Sequence, residues 1–304
     1  MDTNNATTSN DIKPKPSWLR KRITHGKTFH KVMAILKESG LNTVCEKALC
    51  PNIGDCFSRG TSTFLILGDH CTRDCRFCNV AHKPTNPPDP EEPLKVAEAV
   101  KKLGLKYIVI TSVTRDDLPD GGAGHFAETI EMIRALSPGI VIEVLLPDFQ
   151  GCEKALQAVV DKKPDVIGHN LETVPRLYPS VSPGADYNRS LNFLKKIKDM
   201  DPEISVKSGI MLGLGEVQEE IQDVLTDLCN AQCSLLWLGQ YLQPDKTRLP
   251  VHRFVPPDEF EEWREKAQKM GFQGIASGPL VRSSFLAEEL YSSLKEKPEL
   301  ISLK

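Results

Sequence analysis

Six short apolar runs, each followed by a segment of helical period, constrain the fold of this chain more than any other feature. The runs lie at residues 61–68, 107–113, 141–146, 165–169, 205–212 and 235–242. They are rich in Val, Ile and Leu with little polar alternation, as strands buried on both faces are. Between them, Val96, Val100 and Leu103 recur at helical spacing, as do Phe126, Ile130 and Ile133. Val217, Ile221, Val224, Leu225 and Leu228 mark a stronger helical stripe, and Phe260, Trp263, Ala267 and Met270 mark another after the last strand. Strands alternating with helices predict an α/β fold with a parallel sheet and right-handed crossovers. Six units predict a partial (β/α)6 barrel rather than a closed eight-fold one. Chemistry in such sheets gathers at the carboxyl ends of the strands.

Composition narrows the class. Among 304 residues, 40% are hydrophobic and 26% charged, as in ordinary globular chains. A net charge of −3 gives no general reason to expect nucleic acid as a partner. No apolar run approaches the roughly 18 residues of a membrane helix, so no membrane association is expected. The polar start lacks signal or transit character, and a cytoplasmic location is the expectation. Residues 1–12 read as a disordered tail, 13–60 as an N-terminal extension, 61–280 as the barrel and 281–304 as a C-terminal extension. Seven basic residues and no acidic one lie between Ile12 and Lys31. They are either a docking strip for an acidic partner or a solvated tail.

Nine cysteines carry the chemistry, and six fall between Cys45 and Cys78. In a reducing compartment such a cluster points to metal or redox work rather than disulfides. Cys71, Cys75 and Cys78 follow the first strand with C-x3-C-x2-C spacing. Three thiolates on a short loop can hold three irons of a 4Fe–4S cubane, leaving one iron open for another ligand. A zinc site completed by His70 or His82, or an inert loop, are the alternatives. Cys45, Cys50 and Cys56 form a second set, C-x4-C-x5-C, readable as a second cluster or as a structural zinc knot. Cys152, Cys229 and Cys233 belong to neither set and read as packing residues.

The first loop resembles the radical S-adenosylmethionine (SAM) superfamily, whose signature is C-x3-C-x-aromatic-C, with Phe77 in the aromatic slot. The resemblance implies that SAM chelates the open iron and is split by one electron into methionine and a 5′-deoxyadenosyl radical. With the second set, the chain is similar to the lipoyl synthase family over roughly residues 15–290. The supporting motifs are Lys15-Pro16-Ser17-Trp18-Leu19-Arg20, Asp116-Asp117-Leu118-Pro119-Asp120-Gly121-Gly122, His169-Asn170-Leu171-Glu172-Thr173, Lys207-Ser208-Gly209-Ile210, Gly239-Gln240-Tyr241-Leu242-Gln243-Pro244 and Arg282-Ser283-Ser284.

That resemblance implies sulfur insertion at C6 and C8 of an octanoyl chain on a carrier lysine. It implies two 4Fe–4S clusters and two SAM molecules per product, the auxiliary cluster being consumed as sulfur donor. Cys71, Cys75 and Cys78 would hold the SAM-splitting cluster. Cys45, Cys50, Cys56 and Ser284 would hold the auxiliary one, with Ser283 as the other candidate, so that the N- and C-terminal extensions would close over the barrel mouth. From the residues alone, either serine could instead cap a helix over 285–294.

The implied partners are octanoylated carrier domains, either E2 of 2-oxoacid dehydrogenases or the glycine-cleavage H protein. A ferredoxin or flavodoxin would supply electrons. Thr111, Ser112, Asp117, Glu143, Asn170 and Lys207 are candidates for the SAM pocket, each with a structural alternative as turn, cap or core polar group. Gln240 and Tyr241 are placed at the mouth. Leu212-Gly213-Leu214-Gly215 resembles a phosphate loop only superficially. Two departures stand out: Ser182 where family members usually carry Arg, and Phe285-Leu286 after the serines. The competing readings are another radical SAM sulfur-inserting enzyme and a structural zinc-binding module.

Overall fold

Parallel strands need crossovers, and the face on which those crossovers run decides the architecture. The computed structural model describes residues 14–21, 26–82 and 85–294. The expected disordered tail lies outside these residues, as do Lys13, Arg22 and the end of the C-terminal extension. The lead-in contains α1 (Lys27–Glu38), β1 (Asn42–Thr43), α2 (Val44–Lys47) and α3 (Ile53–Ser58). Next come β2 (Thr63–Ile66) and two short paired strands, β3 (His70–Cys71) and β4 (Ala81–His82). The alternation then runs α4 (Glu92–Leu103), β5 (Tyr107–Ser112), α5 (Ala123–Leu136), β6 (Val141–Leu145), α6 (Glu153–Val160) and β7 (Val166–Gly168). It continues with α7 (Tyr178–Val181), α8 (Tyr187–Met200), β8 (Ser205–Leu212), α9 (Gln218–Asn230), β9 (Leu235–Gln240), α10 (Pro257–Met270), β10 (Gly274–Gly278) and α11 (Ala287–Ser292).

The main sheet has the order β1-β2-β5-β6-β7-β8-β9-β10, parallel except for β1. Spatial order follows chain order, so successive right-handed crossovers all land on one face. That face is the main core. Ile108, Ile110, Ile142, Val144, Val206 and Leu238 of the strands pack with Val96, Phe126, Ile130, Leu194, Val224 and Phe260 of the helices. The opposite face carries Tyr107, Val109, Val166, Leu235, Trp237 and Ala276. A sheet wound on one side curls about the other, giving a partial barrel. Among the described residues no ladder joins β10 to β1.

All six expected strands are present, and β10 is a seventh parallel one. The first ends earlier than its apolar run because Leu67 and Gly68 take φ of 67° and 93°. The freed Leu67 N–H donates to Glu92 at 2.7 Å. Gly122 is obligatory at φ 91°, since a Cβ there would lie 2.3 Å from Leu67 Cδ1.

The C-terminal extension runs to two places. Residues 280–285 do meet the N-terminal extension. Helix α11 turns to the amino ends of the strands, where Ala287, Leu290 and Tyr291 bury against Tyr107, Val109, Val166 and Leu235. Its apolar residues find cover on the inner face that no crossover helix occupies. No helix among the described residues is long and apolar enough to cross a membrane.

Candidate active site

The loop from Cys71 to Cys78 leaves the carboxyl end of β2 and is fixed from several sides. Thr72 exchanges backbone and side-chain hydrogen bonds with Thr114 and Asp116 beyond β5. Arg73 grips Asp116 through Nε at 2.7 Å and Nη2 at 2.9 Å, and its Nη2 also donates to Asp148 at 2.5 Å. Asp148 in turn accepts from Arg189 Nε at 2.7 Å. Burial alone would raise the Asp148 pKa, but Arg73 outweighs it and holds the carboxyl well below the usual range. Two buried charges are thus paired, and the loop is anchored to the ends of two strands.

Cys75 and Cys78 lie where neighbouring charge acts on their thiols. Burial raises Cys75 to about 11 and Cys78 to about 12, with mutual repulsion adding. Such groups are neutral thiols unless a cation draws the protons off. Backbone N–H groups already point at the sulfurs: Arg73 and Thr114 to Cys71, and Val80 to Cys78.

The second set spans α2 and α3, with Cys45 on the first, Cys56 on the second and Cys50 in the turn between them. Cys45 is buried, its thiol raised to about 11, and Cys56 is raised to about 12, in each case chiefly by burial and then by a neighbouring cysteine. All nine cysteines are unpaired. Hydrogen bonds tie the second set to the first: Lys47 Nζ donates to Asp69 at 2.7 Å, and Asn79 Nδ2 to the Lys47 carbonyl at 2.9 Å.

The same segment meets the far end of the chain. Asn52, between Cys50 and Cys56 and 1% exposed, donates to the Leu280 carbonyl at 2.7 Å. Lys21 lies over the Phe285 ring at 5.4 Å and pairs with Asp55. Burial lowers the Arg282 pKa, while the nearby Cys50 opposes the shift. Ser283 and Ser284 lie between Arg282 and Phe285 in a turn. Neither caps α11, which starts at Ala287 behind Leu286 at φ 54°.

Among the described residues no three His, Cys, Asp or Glu side chains gather as ligands of one ion. A tetrahedral zinc needs all its ligands on one point, whereas a cubane spreads its thiolates over separate corners. His82 is engaged at both nitrogens, by the Arg73 carbonyl at 2.9 Å and Arg248 at 3.0 Å. His70 is held by Asp69 at 2.7 Å. His82 therefore has no ring nitrogen to spare, while the Asp69 contact uses only Nδ1 of His70.

The SAM-pocket candidates divide. Glu143 and Lys207 pair at 2.8 Å, and the second carboxylate oxygen accepts from Tyr107 at 2.5 Å. With side chains 1% and 2% exposed, they neutralise each other on the inner face. Asp117 is held by Arg115 at 2.9 Å through both oxygens and lowered to about 2. Thr111 donates to the Leu145 carbonyl at 3.0 Å. Ser112 Oγ is buried with no partner among the described residues. Asn170 accepts from Trp237 Nε1 at 2.8 Å and donates to Glu172 at 3.0 Å.

Two mouth assignments are corrected. Gln240 is fully buried, its amide joining Leu212, Tyr241, Arg253 and Val255, and the Tyr241 hydroxyl donates to Leu249. Both brace the loop after β9. The glycine loop after β8 spends its N–H groups on Glu216, at 2.6 and 2.9 Å.

Glu172 is the functional candidate that sequence reasoning passed over. Burial raises its carboxyl to about 7, only Asn170 opposes, and its charge reaches Cys75 and Cys78. A half-buried carboxylate beside the cysteine loop, without a cation, is suited to ligand hydroxyl or ammonium groups. Its signal in the sequence was only its place two residues after Asn170. The structure adds a non-glycine φ of 65°.

With this geometry in place, comparison with known proteins defines the class. Residues 65–228, over half the chain, match the radical SAM superfamily. The fold resembles HydG, a maturase of the [FeFe]-hydrogenase, at TM-score 0.57 and 13% identity, covering 88% of this chain and 67% of that one. It also resembles Escherichia coli coproporphyrinogen III oxidase, a radical SAM enzyme, at TM-score 0.53 and 10% identity, covering 74% and 57%.

Sequence relatives are closer. The chain is 52% identical to a lipoyl synthase of Alkaliphilus metalliredigens, across 94% of this chain and 99% of the relative. It is 54% identical to one of Caldanaerobacter subterraneus, across 90% and 96%. The chain belongs to the lipoyl synthase family, the radical SAM enzymes of lipoyl synthesis.

Proposed function

We propose that Cys71, Cys75 and Cys78 hold the 4Fe–4S cluster of the radical SAM reaction. Cys45, Cys50, Cys56 and Ser284 hold a second 4Fe–4S cluster whose sulfides are the substrate sulfur. When bound, the first cluster and SAM supply a carbon radical able to take hydrogen from an unactivated carbon. The products are C–S bonds at C6 and C8 of an octanoyl group on a carrier lysine, with two SAM molecules used per lipoyl group. Three loop thiols bind, Arg73 holds their loop against two strand ends, and Glu172 with Asn170 receives polar groups of SAM. Asp117, Thr111 and Ser112 shape the adjoining wall, while the Glu143–Lys207 pair supports the pocket from below.

The observation that carries this reading is the meeting of three segments. The Asn52–Leu280 and Lys47–Asp69 contacts bring Cys45–Cys56, the Cys71 loop and the Arg282-Ser283-Ser284 turn together. An oxygen ligand is harder than thiolate and binds iron less tenaciously, so a serine corner can open as sulfur leaves. The carrier is an octanoylated E2 or H protein, the electron donor a ferredoxin or flavodoxin, and the setting a reducing cytoplasm in which all nine cysteines stay unpaired. Anaerobic turnover of an octanoyl-lysine peptide tests the reading by mass spectrometry. The expected outcome is 5′-deoxyadenosine and a product with two added sulfurs. Radical cleavage without sulfur gain, or stoichiometric zinc in place of about eight irons, would overturn it.

A further inference from the structure

We propose that the Ser182 hydroxyl sets the reduction potential of the cluster on Cys71, Cys75 and Cys78 by donating a hydrogen bond to the Cys75 sulfur. The inference rests on the reading that these cysteines hold that cluster. The three sulfurs are treated differently. Cys71 accepts from the backbone N–H of Arg73 at 3.4 Å and of Thr114 at 3.3 Å, and Cys78 from Val80 at 3.4 Å. Cys75 is instead met by a side chain, Ser182 Oγ, at 3.1 Å.

Ser182 is 4% exposed, so water competes little for its hydroxyl. Its position is held by backbone. Its N–H donates to the Tyr178 carbonyl and its carbonyl accepts from Ala185, each at 2.9 Å. The preceding Val181 carbonyl accepts from the N–H of Arg76, the residue after Cys75, at 2.9 Å. The turn is thus stitched to the loop beside the sulfur it faces.

An iron-bound thiolate carries no proton, so the hydroxyl is the donor and keeps its proton throughout. When one electron enters from the external donor, negative charge on the sulfurs grows and the hydrogen bond strengthens. Hydrogen bonds to cluster sulfurs favour the reduced state, and more so where the surroundings are dry. Ser182 is a positioning residue: it reaches the chemistry through the cluster and not through substrate.

The test is a redox titration of the reconstituted holoenzyme followed by electron paramagnetic resonance. The signal that SAM perturbs identifies the cluster with the open iron. Ser182→Ala is expected to lower that midpoint, shifting the reduction equilibrium roughly tenfold toward the oxidised form, or about 59 mV for one electron. Ser182→Thr, which keeps the hydroxyl, is expected to stay near the parent value, and iron content is expected to be unchanged in both. An unshifted midpoint in Ser182→Ala overturns the proposal. Loss of iron from Ser182→Ala also overturns it, since the hydroxyl is given no share in holding metal. A parent enzyme with no SAM-perturbed signal would instead remove the cluster assignment itself.

Discussion

The two cysteine sets lie side by side but are built on opposite plans. The Cys71 loop follows a central strand and is clamped by Arg73 to Asp116 and Asp148, with N–H groups aimed at its sulfurs. The Cys45 set spans two short helices, with Cys45 on α2 and Cys56 on α3, and meets chain 228 residues away through Asn52 and Leu280. A loop anchored to strand ends suits a cluster that must survive each turnover. A site assembled from two chain ends suits one that opens and is rebuilt. The proposed function would put the lasting cluster on the first set and the sulfur-giving one on the second.

The largest expected effect is at the anchored set. Cys71→Ala should reduce both 5′-deoxyadenosine and lipoyl product to background in an anaerobic assay, because sulfur insertion depends on cleavage. Retention of product would break the comparison.

The buried Glu143–Lys207 pair comes next. Lys207→Met leaves Glu143 charged without its partner and should cost about 3–5 kcal/mol in urea unfolding. Adding Glu143→Gln should recover much of that loss. A single variant as stable as the parent would give Lys207 a role other than neutralising Glu143.

Glu172 sharpens the anchored side. Its folded pKa of about 7 lies above the ordinary 4.5. Its contribution to stability is therefore full below about pH 4.5 and lost as pH rises through 7. In metal-free protein, Glu172→Gln should gain on the parent by on the order of 3 kcal/mol between pH 4.5 and 8. Parallel stability curves would deny that desolvation raises this carboxyl. The smallest effect is at the clasp. Asn52→Ala removes the bond to the Leu280 carbonyl and the one accepted from Lys21 Nζ, and should cost about 1–3 kcal/mol. It should lower sulfur insertion while sparing SAM cleavage.

What the sequence revealed followed the physics of each signal. Strands rich in branched apolar residues were legible, and 205–212 agrees with β8 at both ends. Strand β10, Gly-Ile-Ala-Ser-Gly, was not, because packing stripped it of the usual pattern. A Cβ on Gly274 would sit 2.6 Å from Leu235 Cδ2 and 3.0 Å from the Leu290 carbonyl, so small residues are required where α11 covers the strand. Both cysteine sets were legible from spacing. The Glu143–Lys207 pair could be placed on strands, but its closure depends on sheet register over 64 residues of chain. The burial of Glu172 and the approach of Ser182 to Cys75 are likewise tertiary facts. Neither residue type nor local spacing announces them.

The division of labour between the two sets is tested most directly in Cys50→Ala, by following adenosyl and sulfur products together in one anaerobic reaction. The account predicts that 5′-deoxyadenosine still forms while no sulfur enters the octanoyl peptide. A variant that still makes the two-sulfur product, or one that no longer splits SAM, would contradict it.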